Sequence, residues 1–194
     1  MSVYSGDIDG YEESDFDPLN YDFDDDEIEV DYGEGKRQAE TVLFTEAPFK
    51  VTAFRFPIVL DTDDYTKRLH FYIEKGLDNE TIYFNKPEVK VNYVKGSTAA
   101  DSIVWAIENE KSGIYNISSI DAVSIETLMK WIEEGIGKPL DVVYTDQIEG
   151  PSPFNTPHDQ YLISDKIHNE GFSLSKLEDW MKPLIVDIKK QLED

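Results

Sequence analysis

Apolar residues recur along the chain with two different periods, and the two kinds of segment alternate. The run from Val51 to Leu60 is mostly apolar, β-branched and aromatic, which predicts a buried strand with Pro57 at its exit. Apolar residues at helical spacing predict helices at 65–74, 97–108, 124–134 and 175–188. Shorter apolar runs predict strands at 81–84, 89–94, 113–117 and 140–144. This alternation is typical of an α/β fold whose strands pair mostly in parallel.

Finer details of the pattern assign faces and ends to these helices. In the 97–108 helix, the predicted core face consists of Ala100, Ile103, Val104 and Ile107. Ser124 is expected to cap the helix that follows it. Ser175 and Glu178 form a capping box before the last helix, which Pro183 should kink.

A further helix is predicted close to the acidic N-terminal segment. Asp31 and Glu34 form a capping box that opens it, and apolar residues continue it through about Glu46. Its first turn contains Gly33 and Gly35, which are poor helix formers. Glycine at such a place more often marks the close approach of another backbone or of a ligand.

The same first turn carries Tyr32 and Lys36, which lie on one face of a helix about one turn apart. A free phenol titrates near pH 10, and an ammonium group held close to it lowers that pKa. Such a phenol can act as a general acid or base on an alcohol or a carbonyl. The alternative is an ordinary surface tyrosine beside a solvated lysine. The first interpretation is favoured because no other tyrosine in the chain has a lysine four residues later.

Acidic residues dominate the composition and are concentrated at the N-terminus. The 194 residues have a net charge of −23, and residues 1–31 hold 13 Asp and Glu but no Lys or Arg. We therefore expect 1–31 to be an acidic loop-rich segment and 32–194 to form one domain. Asp24, Asp25 and Asp26 could bind calcium, but the spacing and glycine of a calcium-binding loop are missing, which favours a solvated loop.

The composition also limits the classes of partner and the location. A strongly negative protein is not expected to bind nucleic acid or anionic lipid directly, since both are polyanions. The chain contains no run of about 18 apolar residues, so no membrane span is predicted. The chain has no cysteine, which excludes disulfides and thiolate metal sites and fits a cytoplasmic location.

Several short motifs, taken in order, resemble the NAD-dependent epimerase/dehydratase family, the extended short-chain dehydrogenases/reductases. Val3-Tyr4 resembles the end of the strand before the catalytic helix, and Tyr32-x-x-x-Lys36 resembles that helix itself. Phe54-Arg55-Phe56-Pro57 is similar to the next strand, which runs into the nicotinamide and substrate site. The later matches are the segment 89–107, Tyr115-Asn116-Ile117, and the stretch from Lys166 to Gly171-Phe172.

The resemblance implies a partial Rossmann-like, mostly parallel sheet with the small C-terminal substrate-binding α/β subdomain of that family. It makes Tyr32 the general acid/base of hydride transfer and Lys36 the residue that binds the nicotinamide ribose. Phe56, Pro57 and Ile58 would lie against the cofactor, and Tyr4 and Ile58 at substrate positions. The implied cofactor is NAD or NADP, and the implied substrate is a nucleotide-sugar or a related alcohol or carbonyl compound.

The sequence also departs from the family pattern. The Gly-x-x-Gly-x-x-Gly loop that holds the pyrophosphate does not occur in it. The catalytic Ser/Thr would align before Met1, which leaves Ser2 out of place for that role. Asp61 stands where the family has glycine, Ile58 where it often has asparagine, and residues 92–95 where it has a His-x-Asp-Asp-type turn.

These departures lead to three open hypotheses. The first is a truncated C-terminal portion, or a separately encoded subunit, that binds NAD(P) poorly and is weakly active or inactive without a complementing N-terminal half. The second is a non-catalytic interaction protein built on the same partial fold. The third is an acidic decoy that covers a basic surface through residues 7–31. The resemblance also implies a homodimer with residues 32–47 near its interface.

Overall fold

The structure is a computed structural model that describes residues 1–23, 29–147 and 152–193. Its helices are α1 (Tyr32–Glu46), α2 (Arg68–Asp78), α3 (Gly96–Glu108), α4 (Ile125–Ile136), α5 (Asp165–Asn169) and α6 (Leu177–Glu193). Its strands are β1 (Thr52–Arg55), β2 (Ile58–Leu60), β3 (Ile82–Phe84), β4 (Lys90–Val91), β5 (Tyr93–Lys95), β6 (Gly113–Asn116), β7 (Val123–Ser124) and β8 (Val142–Tyr144). A 3-10 turn spans Glu13–Asp15.

Three of the four strand pairs in the described part of the chain are parallel. β1 pairs with β6, β2 with β5 and β3 with β8 in parallel, whereas β4 and β7 are antiparallel. Parallel strands need a crossover connection between them, and helices supply it here. The predicted α/β fold with mostly parallel pairing is confirmed.

The largest apolar core lies where α2, α4 and α6 pack on one another and on β3 and β5. Its fully buried members include Tyr72, Ile73, Phe84, Tyr93, Leu128, Ile132, Met181 and Ile185. Gly135 lets α4 approach α6 closely, because a Cβ at this position would lie 2.5 Å from Cγ2 of Ile185. This core therefore combines residues from the middle and the end of the chain, between 60 and 188.

The β1–β6 pair has an apolar face and a polar face. Phe54 and Tyr115 are partners in register, and both belong to a cluster that packs against Ala99 and Trp105 of α3. Because side chains alternate along a strand, the next pair in register, Arg55 and Asn116, points the opposite way. That polar face holds α1 and the N-terminal segment, so α1 and α3 lie on opposite sides of the pair.

Two predicted strands are each divided in two. The run 51–60 forms β1 and β2, which pair with different partners on either side of Phe56-Pro57. Proline lacks an N–H group and cannot continue a ladder on both sides. The run 89–94 is divided at Asn92, whose buried amide donates to Leu162 O at 2.8 Å and to Ser118 Oγ at 3.0 Å.

The predicted core face of α3 was wrong. The helix buries Ala99, Ser102 and Ala106, whereas Ala100 is exposed and Ile103, Val104 and Ile107 are 44%, 52% and 74% exposed. Small residues let α3 lie close to the sheet, so the larger aliphatic residues point outward. Both faces of this helix are apolar enough that periodicity could not choose between them.

Helix ends follow the predicted caps at two of three places. Asp31 accepts a hydrogen bond from Glu34 N at 2.7 Å at the start of α1, and Ser124 accepts one from Thr127 N at 3.1 Å at the start of α4. The capping box at Ser175 was wrong, since α6 begins at Leu177, whose N–H donates to Asp121 Oδ1 at 2.7 Å. α2 begins at residue 68 rather than 65, after a turn closed by hydrogen bonds to Asp64.

The N-terminal segment is irregular but packed. Residues 1–4, expected to include the end of a strand, form a turn in which Tyr4 N donates to Met1 O at 3.1 Å. Further along the segment, apolar residues form a small cluster of their own, with Val3, Tyr4, Tyr11, Phe16 and Leu162 buried. The proposed calcium ligands at 24–26 lie outside the described residues, and the boundary at residue 31 stays a prediction.

Candidate functional site

A cleft of about 890 Å³ opens between α1, the first residues of the chain and the junction of β1 with β2. Its walls include Tyr32 and Lys36 from α1 and Phe56, Pro57 and Ile58 from the β1–β2 junction. These five of the six residues predicted for the site therefore share one cavity, although 20 or more positions of sequence separate the two groups. Their roles in it stay predictions.

Tyr32 and Lys36 lie at the cleft as an exposed pair. The side chain of Tyr32 is 72% exposed, and Lys36 Nζ lies 5.4 Å from the centroid of its ring. The Asp31 cap fixes the first turn that presents both side chains. A cation at this distance from an aromatic ring is within the range of cation–π attraction.

Gly33 brings the start of the chain against the same turn. A Cβ at residue 33 would lie 2.9 Å from Ser2 O, closer than real contacts allow, so only glycine fits without a shift. The expectation that this glycine marks a close backbone approach is confirmed. One consequence was missed from the sequence: Ser2 lines the cleft beside Tyr32. The alignment had placed the catalytic Ser/Thr before Met1.

Tyr4 lies behind the wall of the cleft and does not line it. Its hydroxyl donates to Asn116 Oδ1 at 2.6 Å and accepts from Arg55 Nη1 at 2.8 Å. Burial raises the pKa of Tyr4 to about 12, against the opposing effect of Arg55. Both bonds of this phenol are made inside the protein, and the substrate role of Tyr4 stays a prediction.

Arg55 and Glu40 form a buried ion pair that was also missed from the sequence. Both residues line the cleft, yet Arg55 is only 3% exposed and Glu40 9%. Arg55 Nε donates to both carboxylate oxygens of Glu40 at 3.2 Å, and Nη2 makes a further short contact with the same carboxylate. Fifteen residues separate the two in sequence, so no local spacing predicts the pair.

The loop at 61–67 and the first residue of α2 form a rim of the cleft. They present Asp61, Asp63, Asp64, Tyr65 and Arg68 to the cavity, and Tyr65 is 92% exposed. Asp64 accepts from the backbone and hydroxyl of residue 66, which stiffens the loop. Arg68 is half-buried, and within the described residues no hydrogen bond or ion pair reaches its guanidinium group.

The arrangement has the groups for proton transfer to a ligand oxygen. Tyr32 offers a phenol, Ser2 a hydroxyl and Lys36 an ammonium to the same cavity. Among the described residues, no group of His, Asp or Glu could hold a metal ion. No described helix is long and apolar enough to cross a membrane.

No protein-family model matches the sequence, and no curated protein matches it either. Several solved structures share its fold. UDP-glucuronic acid 4-epimerase from Bacillus cereus, in complex with NAD, has a TM-score of 0.68 at 16% identity over 100% of this chain and 60% of its own. A dTDP-4-dehydrorhamnose reductase from Clostridium acetobutylicum has a TM-score of 0.66 at 16% identity, over 100% of this chain and 64% of its own.

A third structure agrees with these two. UDP-glucose 4-epimerase from Thermus thermophilus, in complex with NAD, has a TM-score of 0.61 at 18% identity and covers 81% of this chain. The chain spans 52%, 60% and 64% of the lengths of these three proteins. The chain therefore has the α/β fold of these epimerases and this reductase, over the part of their length that it covers.

Proposed function

We propose that this chain supplies the catalytic helix and the substrate cleft of an NAD(P)-dependent epimerase- or dehydratase-type active site. The observation that carries the proposal is the single cleft that brings Tyr32 and Lys36 together with Phe56, Pro57 and Ile58. The substrate would be a nucleotide-sugar or a related compound with a reacting alcohol or carbonyl. The fold shared with enzymes solved with NAD supports the cofactor assignment.

The residues at the cleft fit the nicotinamide end of a dinucleotide. The cavity is large enough for a nicotinamide riboside, and Lys36 has no carboxylate partner in the described part of the chain. Its ammonium group would donate to the ribose hydroxyls. The sequence holds no glycine-rich pyrophosphate loop, so the remainder of the dinucleotide would be bound by other residues.

The proposed chemistry divides between cofactor and protein. When bound, the nicotinamide would accept or return the hydride at the substrate carbon. Tyr32 Oη would take the proton from the substrate hydroxyl as the C–H bond of the carbon that carries this hydroxyl is broken. It would return the proton when the carbonyl is reduced. Lys36 would hold the nicotinamide ribose during both steps, and Ser2 would contribute a hydroxyl from the same cleft.

Arg68 and Tyr65 support a substrate with an anionic group. A half-buried guanidinium without an internal acceptor is suited to bind a phosphate or carboxylate in a bidentate manner. Tyr65 is almost fully exposed beside it and offers a flat apolar surface for a ring. The aspartates of the same rim would repel any anion that does not reach Arg68, which favours one defined orientation.

The cofactor-binding strands would come from a complementing half that pairs with the free edge of β1. In the described residues β1 pairs with β6 alone, and directly after the end of β1 Met1 N donates to Phe56 O at 2.7 Å. An unpaired strand edge is a template for another strand. The fold neighbours extend well beyond this chain, which fits a sheet continued at this edge.

A second candidate function is non-catalytic interaction, favoured by the outward face of α3. Ile103, Val104 and Ile107 are exposed there, beside a cavity of about 460 Å³ that reaches Thr52 and Phe54. An apolar patch of this kind can bind a partner or a second copy of the chain. Light scattering tests this candidate, since a sharp monomer with a cooperative melt and no partner would disfavour it.

Nuclear magnetic resonance with NADH tests the proposed active site. Saturation transfer from the protein to the nicotinamide protons should be detectable at millimolar NADH, because that method reports weak binding. Lys36→Ala should weaken the binding about tenfold or more, as expected for loss of a charged hydrogen bond. Tyr32→Phe should leave it nearly unchanged, because the phenol acts on the substrate.

Lys50→Ala is the matched control, since Lys50 lines the smaller cavity and not the cleft. Binding in Lys36→Ala that is as strong as in the unmodified chain, or no transfer in the unmodified chain, would refute the proposed nicotinamide site.

A further inference from the structure

The Arg55–Glu40 pair joins the two segments that carry the proposed site. Glu40 lies one turn after Lys36 on α1, and Arg55 directly precedes Phe56 at the end of β1. We propose that Arg55 is the positioning residue of the cleft. Its side chain holds α1 at one fixed distance and angle from the β1–β2 junction. The inference rests on the proposed function for its significance, whereas its test needs no cofactor.

The guanidinium group of Arg55 is held from every side. Beside its bonds to Glu40, Nη1 donates to Tyr4 Oη at 2.8 Å and to Glu13 O at 3.0 Å, and Nη2 donates to Phe16 O at 2.9 Å. The rings of Tyr4 and Phe16 pack on it, with centroids 4.9 and 5.2 Å from its central carbon. A planar fork with all its donors engaged has one orientation.

A second Arg–Glu pair shows what distinguishes this one. Arg37 and Glu34 also form an ion pair on α1, but they lie three residues apart on the same helix. Their side chains are 19% and 18% exposed. The further partners of this pair are Tyr21 and Val3 of the N-terminal segment, so it does not connect α1 with β1. Arg55 and Glu40 are more deeply buried, and they connect a strand with a helix.

Stability alone does not account for a buried pair of this kind. Replacing both members of a buried ion pair with apolar residues is often neutral or stabilising, because the charges no longer need to be desolvated. The guanidinium group of Arg55 instead selects one placement of α1 against β1, where an apolar contact would allow several. A positioning role therefore predicts a variant that stays folded but holds α1 less precisely.

The hydrogen bonds of Arg55 also make the N-terminal segment part of the arrangement that positions α1. The carbonyls of Glu13 and Phe16 lie on the acidic segment, so Arg55 ties that segment, β1 and α1 together. The placement of Lys36 then depends on residues of the segment that do not line the cleft. Phe16→Ala removes one of the two rings without touching the ion pair itself.

Pulsed electron-spin distance measurements test the proposal directly. The chain has no cysteine, so the double variant Val42→Cys, Val104→Cys carries nitroxide labels at these two positions only, one on α1 and one on α3. Both positions are exposed, at 38% and 52%, and the two helices lie on opposite sides of the β1–β6 pair. The labelled chain should give one narrow distance distribution. In Arg55→Lys, which keeps the charge but loses the fork, the distribution should widen about twofold.

Two further variants complete the experiment. Arg37→Met is the control and should leave the distribution unchanged, while Phe16→Ala should widen it. If Arg55→Lys does not fold, the double variant Arg55→Met, Glu40→Leu should fold and show the same widening. An unchanged width in a folded variant that lacks the fork would overturn the inference. Failure of NADH to bind would reject the proposed function but would leave this distance measurement intact.

Discussion

Removing Glu40 should be among the most destabilising single changes in this chain. Glu40→Ala would leave the guanidinium of Arg55, which is 3% exposed, without its carboxylate. Nε would lose its only acceptor, whereas Nη1 would keep Tyr4 and Glu13 and Nη2 would keep Phe16. Breaking a buried pair in this way costs about 3–5 kcal/mol, because the remaining charge stays desolvated.

Urea unfolding followed by tryptophan fluorescence and circular dichroism measures this loss. A destabilisation of about 3–5 kcal/mol corresponds to a decrease of roughly 6–20 °C in the melting temperature of a domain of this size. The double variant Arg55→Met, Glu40→Leu should recover about half of the loss, since no unpaired charge remains. Full recovery is not expected, because Tyr4 and two backbone carbonyls lose a donor.

Glu34→Ala is the control for this prediction. Its partner Arg37 lies on the same helix with a side chain that is 19% exposed, and pairs that solvent reaches contribute about 0–1 kcal/mol. A loss below about 1 kcal/mol in Glu40→Ala, equal to that of the control, would mean that water reaches Arg55. The reasoning from burial would then be refuted.

Three further predictions follow from the same structure. The free energy of unfolding should fall as the pH rises from about 10 to about 12. The pKa of Tyr4 is raised to about 12 in the folded state, so the phenol of the unfolded chain ionises first. The urea midpoint of Tyr4→Phe should decrease less steeply over the same pH range. Gly35→Ala should stabilise α1 by up to about 1 kcal/mol, because alanine favours a helix over glycine. Gly33→Ala should destabilise the protein by about 1 kcal/mol, because its Cβ would meet Ser2 O. Equal melting temperatures of the two variants would contradict this. Ile107→Lys should change the free energy of unfolding by less than about 0.5 kcal/mol, because that side chain is 74% exposed, and a larger loss would show that it is packed.

The elements that sequence predicted well are those whose signals are local. Asp31 caps α1 through the amide three residues later, and a period of 3.6 marks the buried faces of α4 and α6. The α/β class follows from the order of such segments. The close approach at Gly33 was also predictable, because glycine in a helical turn has a limited number of explanations.

The features that sequence missed depend on pairs of distant residues. Glu40 and Arg55 meet only because β1 returns beneath α1, and nothing in either segment identifies the other as its partner. Ser2 reaches the cleft through a backbone contact with residue 33, which an alignment of motifs does not describe. The exposed face of α3 was misassigned for a related reason, since only its neighbours decide which apolar stripe is buried.

The contacts of the acidic segment set an order for folding during synthesis. Tyr11 N donates to Tyr161 O at 2.9 Å, and Ile163 N returns a bond to Tyr11 O, so this part of the segment is held by residues about 150 positions later. At ribosomal speed, those partners emerge roughly 8–30 s after it does. Its density of carboxylates keeps the waiting chain extended and soluble during that interval. The segment around Tyr11 is therefore made long before its partners and is among the last parts of this chain to become ordered.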